Sequence, residues 1–212
     1  MKDNIELSSR GWLLLFFEAA ERNGIYPIAM DMLHKLIYLA NVLSPVSDVK
    51  MPNHYTLKHR RGPYFPRAQL DIGILVAQQL VESQSVVAIK DEHGFWLKGN
   101  YRITKEGLDI TEEINDDTIL ENYSIFLREF FRSLTYLSKI QIHEINNFEI
   151  HYKIVSDGLG VDISTPDNNF TKEAISHLFP QERSQTTREG IHRYIAYLKN
   201  AFDNMGAKHN EN

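Results

Sequence analysis

Cysteine is absent from this chain of 212 residues. That excludes a disulfide framework, thiolate nucleophiles and cysteine-based zinc sites, and it fits a reducing cytoplasm. Long apolar runs are missing as well. The longest near the start, "WLLLFF" at 12–17, is followed at once by Glu18, Glu21 and Arg22. It is too short and too quickly charged for a signal-peptide core or a membrane span. The expected protein is soluble and cytoplasmic, with no membrane contact. Excess positive charge is lacking too: the formal net charge is -5. A wholly basic nucleic-acid binder is thereby excluded, and any contact with nucleic acid must come from a local patch. Hydrophobic residues at 42% and charged residues at 24% are those of an ordinary globular chain, long enough for one large or two small domains.

What is present reads as helices and a few strands. Ser8 or Ser9 caps a first helix that Gly24 stops, with Trp12, Leu13, Phe16, Phe17 and Ala20 on one apolar face. A second helix is expected from about Ile28 to Leu43, ended by Ser44-Pro45. "HYTLKHR", 54–60, reads as a strand between Pro52 and Gly62-Pro63. The spacing then predicts a third helix over 66–82, opened by Pro66 and containing Gly73, a residue suited to close packing. Two β-rich runs around "DEHG" predict a hairpin. Thr104 caps a fourth helix in which Gly107 is a weak spot.

This order is that of a winged-helix-like domain over 1–114, with the hairpin as the wing and helix 66–82 in the recognition position. From the acidic turn at 115 the pattern changes. Ile119, Leu120, Tyr123, Phe126, Leu127, Phe130, Phe131, Leu134 and Leu137 mark a long helix with a broad apolar stripe, part of which could serve a partner. Helices are expected near 142–154, from a Thr171 cap to Leu178, and from Thr186 or Thr187 to Asn204, with a polar loop at 156–169 and a frayed tail. The expected architecture is mainly α (α+β), a winged-helix-like unit followed by an all-helical bundle at 115–212.

Catalytic signatures fail one by one. His143-Glu144 begins like a zincin, but position 147 is Asn and His151 is two turns away. "GLG" at 158–160 lacks the lysine and third glycine of a phosphate loop, and no serine sits in a nucleophile elbow. Glu112, Glu113, Asp116 and Asp117 cluster at helix ends, without a nuclease pattern. No cofactor, metal or catalytic residue is expected.

The basic segment is the stronger signal. Five Lys or Arg residues and no acid lie between Lys50 and Arg67. Lys58, His59, Arg60, Arg61, Tyr64, Phe65 and Arg67 form the candidate contact surface, with the aromatic pair as exposed anchors in a turn. Arg67 in a first helical turn opposes the dipole and calls for an anionic partner: phosphate, or an acidic side chain of this chain or another. Helix 66–82 holds Asp71, Gln78, Gln79 and Glu82 but no Lys or Arg beyond Arg67. That makes a poor major-groove reader.

The set "RGWLLLFFEAA", "LHKLIYLANVL", "LKHRRGPYFPRAQLDIGILVAQQLVE" and "GFWLKGNYRITKEG" resembles the middle component of ABC-three-component systems. These include the small bridging subunit of Lamassu-type antiphage and antiplasmid defence complexes. "LHKLIYLA" also resembles the start of the Panacea antitoxin-chaperone domain. The first resemblance covers residues 10–113. It implies a non-catalytic bridging subunit joining a structural-maintenance-of-chromosomes-like (SMC-like) ATPase to an effector nuclease, touching DNA indirectly or weakly. A free-standing winged-helix DNA-binding regulator is the alternative.

Overall fold

A computed structural model describes residues 7–52, 55–59, 61–92, 94–117, 120–162, 170–178 and 187–209. The fold is α+β, mainly helical, with two small antiparallel sheets. The helix α1 (Ser9–Arg22) starts where Ser8 Oγ accepts from the Gly11 N–H at 3.1 Å. Every residue from Trp12 to Ala20 is buried, so α1 is a central helix covered on all sides rather than one with a single apolar face. This buries Glu18, and the charge is met by Arg22 and by Arg128 Nη2 at 2.9 Å.

A short strand β1 (Ile28–Ala29) precedes α2 (Met30–Leu43), which therefore begins two residues later than the sequence predicts. The expected single strand at 54–60 is one of a pair, β2 (Tyr55–His59) and β3 (Gly62–Tyr64), with His59 opposite Gly62 and Gly62 at φ 125°. Helix α3 (Pro66–Ala77) stops five residues short of the predicted 82. Its end is a Schellman turn: Leu80 N–H bonds Leu75 O at 3.0 Å and Gln79 N–H bonds Val76 O at 3.0 Å. Gln79 takes the left-handed position, φ 61°, that glycine usually fills, so no glycine marks this stop.

The hairpin β4 (Val81–Asp91) and β5 (Gly94–Ile103) forms as expected, and β1 joins β5 to give the order β1-β5-β4. Then follow α4 (Lys105–Asn115), α5 (Glu121–Leu134), α6 (Lys139–Glu144), a 3-10 turn at Ile145–Phe148 and α7 (Ile150–Ile154). The last elements are β6 (Gly160–Asp162), α8 (Phe170–Leu178) and α9 (Thr187–His209).

The C-terminal half is not all-helical. β6 lies within the expected loop and pairs with β2, Thr56 opposite Val161 and Leu57 opposite Gly160. Nor does residue 114 divide two cores. One continuous buried cluster runs from Leu7 to Leu198, and α5 packs on both α1 and α9. Phe126, Phe130 and Phe131 are buried within it, Phe131 edge-on to Phe16 at 4.8 Å, so none is left for a partner. Thr171 is not a cap either. It lies inside α8 and gives its hydroxyl to Glu149.

Glu149 is fully buried and accepts five hydrogen bonds. Two come from the first backbone N–H groups of α7, His151 at 3.1 Å and Tyr152 at 2.7 Å. The others come from Tyr38 on α2 at 2.6 Å, Thr171 on α8 and Tyr194 on α9 at 3.4 Å. Burial, then the adjacent carboxylate, pushes both tyrosine hydroxyls well above their usual range, so both stay donors.

The two glycines singled out in the sequence exchange roles. A Cβ on Gly73 would meet nothing within 4 Å, whereas one on Gly107 would lie 2.2 Å from the Leu80 carbonyl oxygen and 2.7 Å from Ile103 Cγ1. Gly107 is where α4 crosses the start of β4. Gly73→Ala should therefore raise stability by about 0.5–1 kcal/mol. Gly107→Ala should lower it by about 2 kcal/mol or more, since the obstructing atom is backbone. Urea titration of the two variants checks both signs.

Candidate functional site

The basic segment folds into the β2–β3 turn and the first turn of α3, and its residues part company. Lys58 turns inward, its side chain 15% exposed. Its Nζ donates to the carbonyls of Tyr152 at 2.8 Å and Val155 at 2.7 Å, stands 4.5 Å from the Tyr152 ring centre, and lies 3.9 Å from Asp157 Oδ1. These carbonyls are at the C-terminal end of α7, where no intrahelical donor remains. Backbone bonds from Lys58 N–H to Leu159 O and from Gly158 N–H to Lys58 O, 2.9 and 2.7 Å, hold the same loop.

Phe65 is the clearest correction. It is 1% exposed and belongs to the core, so it cannot anchor a partner. The sequence shows two aromatics in a turn, but Phe65 is the last residue before α3 and points under it, stacked on His34 at 6.4 Å. Arg67 has its anion within the chain: Nε donates to Oδ2 of the buried Asp71 at 3.0 Å, one helical turn on. Arg60 lies outside the described residues. His59 is exposed and accepts from the Arg61 N–H at 3.3 Å, and Tyr64 is 38% exposed. Of the predicted surface, His59, Arg61 and Tyr64 are gathered on one turn, while Lys58, Phe65 and Arg67 serve the fold.

That turn overhangs the N-terminal end of α2 and separates two clefts. One, of about 470 Å³, is lined by Met30, His34, Tyr64, Gln69 and Leu97. The other, of about 390 Å³, is lined by Lys35, His143, Glu144, Asn146 and Tyr152. Asp31, His59, Arg61, Gly62 and Pro63 border both.

Between the walls of the first cleft, His34 is buried and bonded at both nitrogens. Nδ1 accepts from the Phe65 N–H at 3.3 Å, which makes Nε2 the protonated nitrogen that donates to Gln69 Oε1 at 3.2 Å. Burial lowers its pKa to about 4, against smaller opposing effects of the Gln69 hydrogen bond and the Asp31 carboxylate.

The second cleft holds a group that the sequence does not bring together. Lys35 is buried and donates to His143 O at 2.7 Å, with its Nζ 3.1 and 3.2 Å from the two ring nitrogens. His143 Nδ1 lies 2.7 Å from Glu144 Oε1 and Nε2 3.3 Å from Asp31 Oδ2. Burial lowers the Lys35 pKa, while Glu144 and Asp31 raise it. His143 and Glu144 are neighbours in sequence, but contacts of more than a hundred residues in separation bring them to Lys35 and Asp31. Among the described residues no set of three or more His, Cys, Asp or Glu is placed to hold a metal ion. At the position of the zincin's second His, Asn147 instead donates to Glu144 Oε2 at 2.6 Å.

Two measurements probe this region. Phe65→Ala should cost about 3–4 kcal/mol of stability and Tyr64→Ala less than about 1 kcal/mol, as chemical denaturation of each will show. Acidification provides the other. His34 is held below the unfolded value of 6.5, so between about pH 6.5 and 4 the unfolded chain binds a proton that the folded one does not. Stability therefore falls as pH drops through this window, by about 2 kcal/mol from pH 7 to 5. His151, also lowered by burial, acts in the same direction. His34→Gln should be less stable at pH 7 and show a shallower pH slope. An unchanged slope would place the titration elsewhere.

No family model matches the chain, and neither the curated proteins nor the solved structures contain a match.

Proposed function

We propose that the chain is a non-catalytic bridging subunit of a defence complex, joining an SMC-like ATPase to an effector nuclease. Within it, residues 8–114 form the winged-helix-like unit and the later helices the bundle packed on it. A strand between the first two helices that pairs with the second strand of the hairpin supports this reading. The observation that carries the functional part is the outer face of α3. Pro66, Arg67, Leu70, Gly73 and Ala77 are its exposed positions, Leu70 at 57%, and the one cation is engaged by Asp71. Arg67 is the one side chain on this face able to hydrogen-bond a base edge, which makes a poor major-groove reader, whereas the apolar remainder suits packing against another protein. With Lys58 also committed internally, few cations remain to neutralise phosphates. Any DNA binding by the isolated chain is accordingly weak, salt-sensitive and independent of sequence.

The test is to look for genes for a coiled-coil ATPase and a nuclease beside this one and, where they occur, to co-express their products with the chain and purify by affinity. The wild type should bring down both. Leu70→Glu should weaken that complex at least tenfold, as expected for a central anchor, with an unchanged melting temperature. Tight binding to one operator sequence at physiological salt, or no complex at all, would reject the reading.

A further inference from the structure

The β4–β5 hairpin presents an exposed strand edge. Every residue from Glu82 to Ala88 is exposed, although successive residues point to opposite faces, so this part of the hairpin stands away from the core. Yet its middle is apolar. Val86, Val87 and Leu97 are 45, 50 and 48% exposed, and no ionisable residue lies between Glu82 and Lys90. β4 is also an edge strand, with β5 as its neighbour on one side and no strand on the other among the described residues. An exposed apolar edge is a template for another strand.

The bounds of that edge are readable. Gln84 faces Asn100 and Val87 faces Lys98, so Ser85 and Val86 together oppose Gly99 in a bulge, with Ser85 at φ 53°. At the other end Asp91 faces Gly94 across a two-residue connection. The residues flanking such a connection exchange both hydrogen bonds, so Val87 and Ile89 direct their backbone groups toward β5. Val86 and Ala88 direct theirs outward. The usable edge is thus short, from Val86 to the turn.

We infer that this edge pairs with the same edge of a second copy, antiparallel about a two-fold axis at Ala88. That register keeps the pairing between the bulge and the turn in both strands. It sets Val87 against the partner's Ile89 and Val86 against the partner's Lys90, whose aliphatic stem covers it. No like charges face each other: Asp91 falls opposite the partner's Ser85 and Glu92 opposite the partner's Gln84. Since the other side of β4 is occupied by β5, the contact uses up the available edge and closes as a dimer rather than a fibre. A strand from an unrelated protein would satisfy the backbone equally well, but it would have to bring its own uncharged, β-branched segment. The second copy presents one by identity.

The natural lack of cysteine gives a direct test. Sedimentation velocity of the full chain over a hundredfold concentration range should show a monomer of 24.6 kDa passing to twice that mass. Ala88→Cys sits on the axis, where opposed Cα atoms of a hydrogen-bonded pair are about 5.5 Å apart, within disulfide reach. It should oxidise to a covalent dimer at least tenfold faster than Gln84→Cys, which is as exposed but lies off the axis. Ala88→Pro removes an outward N–H without touching the β5 ladder and should leave a folded monomer. A wild type that stays monomeric throughout, equal cross-linking of the two cysteine variants, or a dimer that survives in folded Ala88→Pro would each overturn the inference. If Ala88→Pro does not fold, the cysteine pair decides alone.

Discussion

The rest of the structure depends on the buried carboxylate of Glu149. Its hydrogen bonds come from hydroxyls and backbone N–H groups rather than from a cation, and it is fully inaccessible to water. A bare carboxylate in such a place would cost many kcal/mol, so its donors must arrive together. They come from α2, α7, α8 and α9, elements spread over more than 150 residues from Tyr38 to Tyr194. Hydrogen bonds to an ionised acceptor are each worth about 1.5–3 kcal/mol, and removing one leaves the others with an anion to satisfy. The constraint is cooperative: the four elements dock as a set or leave the charge exposed.

Lys58 completes the same device from the other end. α7 has only the residues Ile150–Ile154, too few to persist as an isolated helix. Its N-terminal N–H groups meet Glu149, and its C-terminal carbonyls meet the Lys58 ammonium. Both charges have the sign that the helix dipole favours at that end. One short helix is thus clamped between a carboxylate fixed to the bundle side and a lysine fixed to β2, and β6 adds a strand to the same joint. This explains why a sequence boundary near 114, drawn from a change in hydrophobic pattern, corresponds to no break in packing. These polar groups, which no hydrophobic period reports, add to the apolar packing of α5 on α1 across the same boundary.

What was legible in the sequence follows from that distinction. The helices with strong 3.6-residue patterns, α1, α2 and α5, are found near their expected limits, whereas α9 runs past the expected Asn204 to His209, into the expected frayed tail, and the hairpin follows from two β-rich runs around a short polar turn. Missed features were those set by tertiary contact. The Schellman stop of α3 uses Gln79 in a glycine position, and β6 exists because β2 offers it an edge. Gly73 and Gly107 are alike in sequence and opposite in surroundings. For the candidate site, composition alone marked the segment from Lys58 to Arg67 as unusual, and the concentration of cations there is real. What it could not reveal was the direction of each side chain. A basic residue is as useful for capping an internal helix or holding a buried Asp as for meeting a partner.

Sorting those directions leaves a surface different from the one a run of basic letters suggests. Arg61 and His59 rim two clefts whose walls mix both charges, Tyr64 lines the first, and in the second Asp31 and Glu144 lie beside Lys35 and His143. Close by, the first cleft is bordered by Gln69 of α3 and Leu97 of the hairpin. The exposed apolar positions, Leu70 on α3 and Val86, Val87 and Leu97 on the hairpin, belong to these same two elements. In a DNA reader they would be the elements carrying cations. Here the described cations of the segment from Lys58 to Arg67 lie on the β2–β3 insertion and the start of α3, where Lys58 holds the end of α7, Arg67 holds Asp71 and Arg61 borders the clefts. Under the bridging proposal, the apolar side chains on α3 and the hairpin are the surface that packs on another protein.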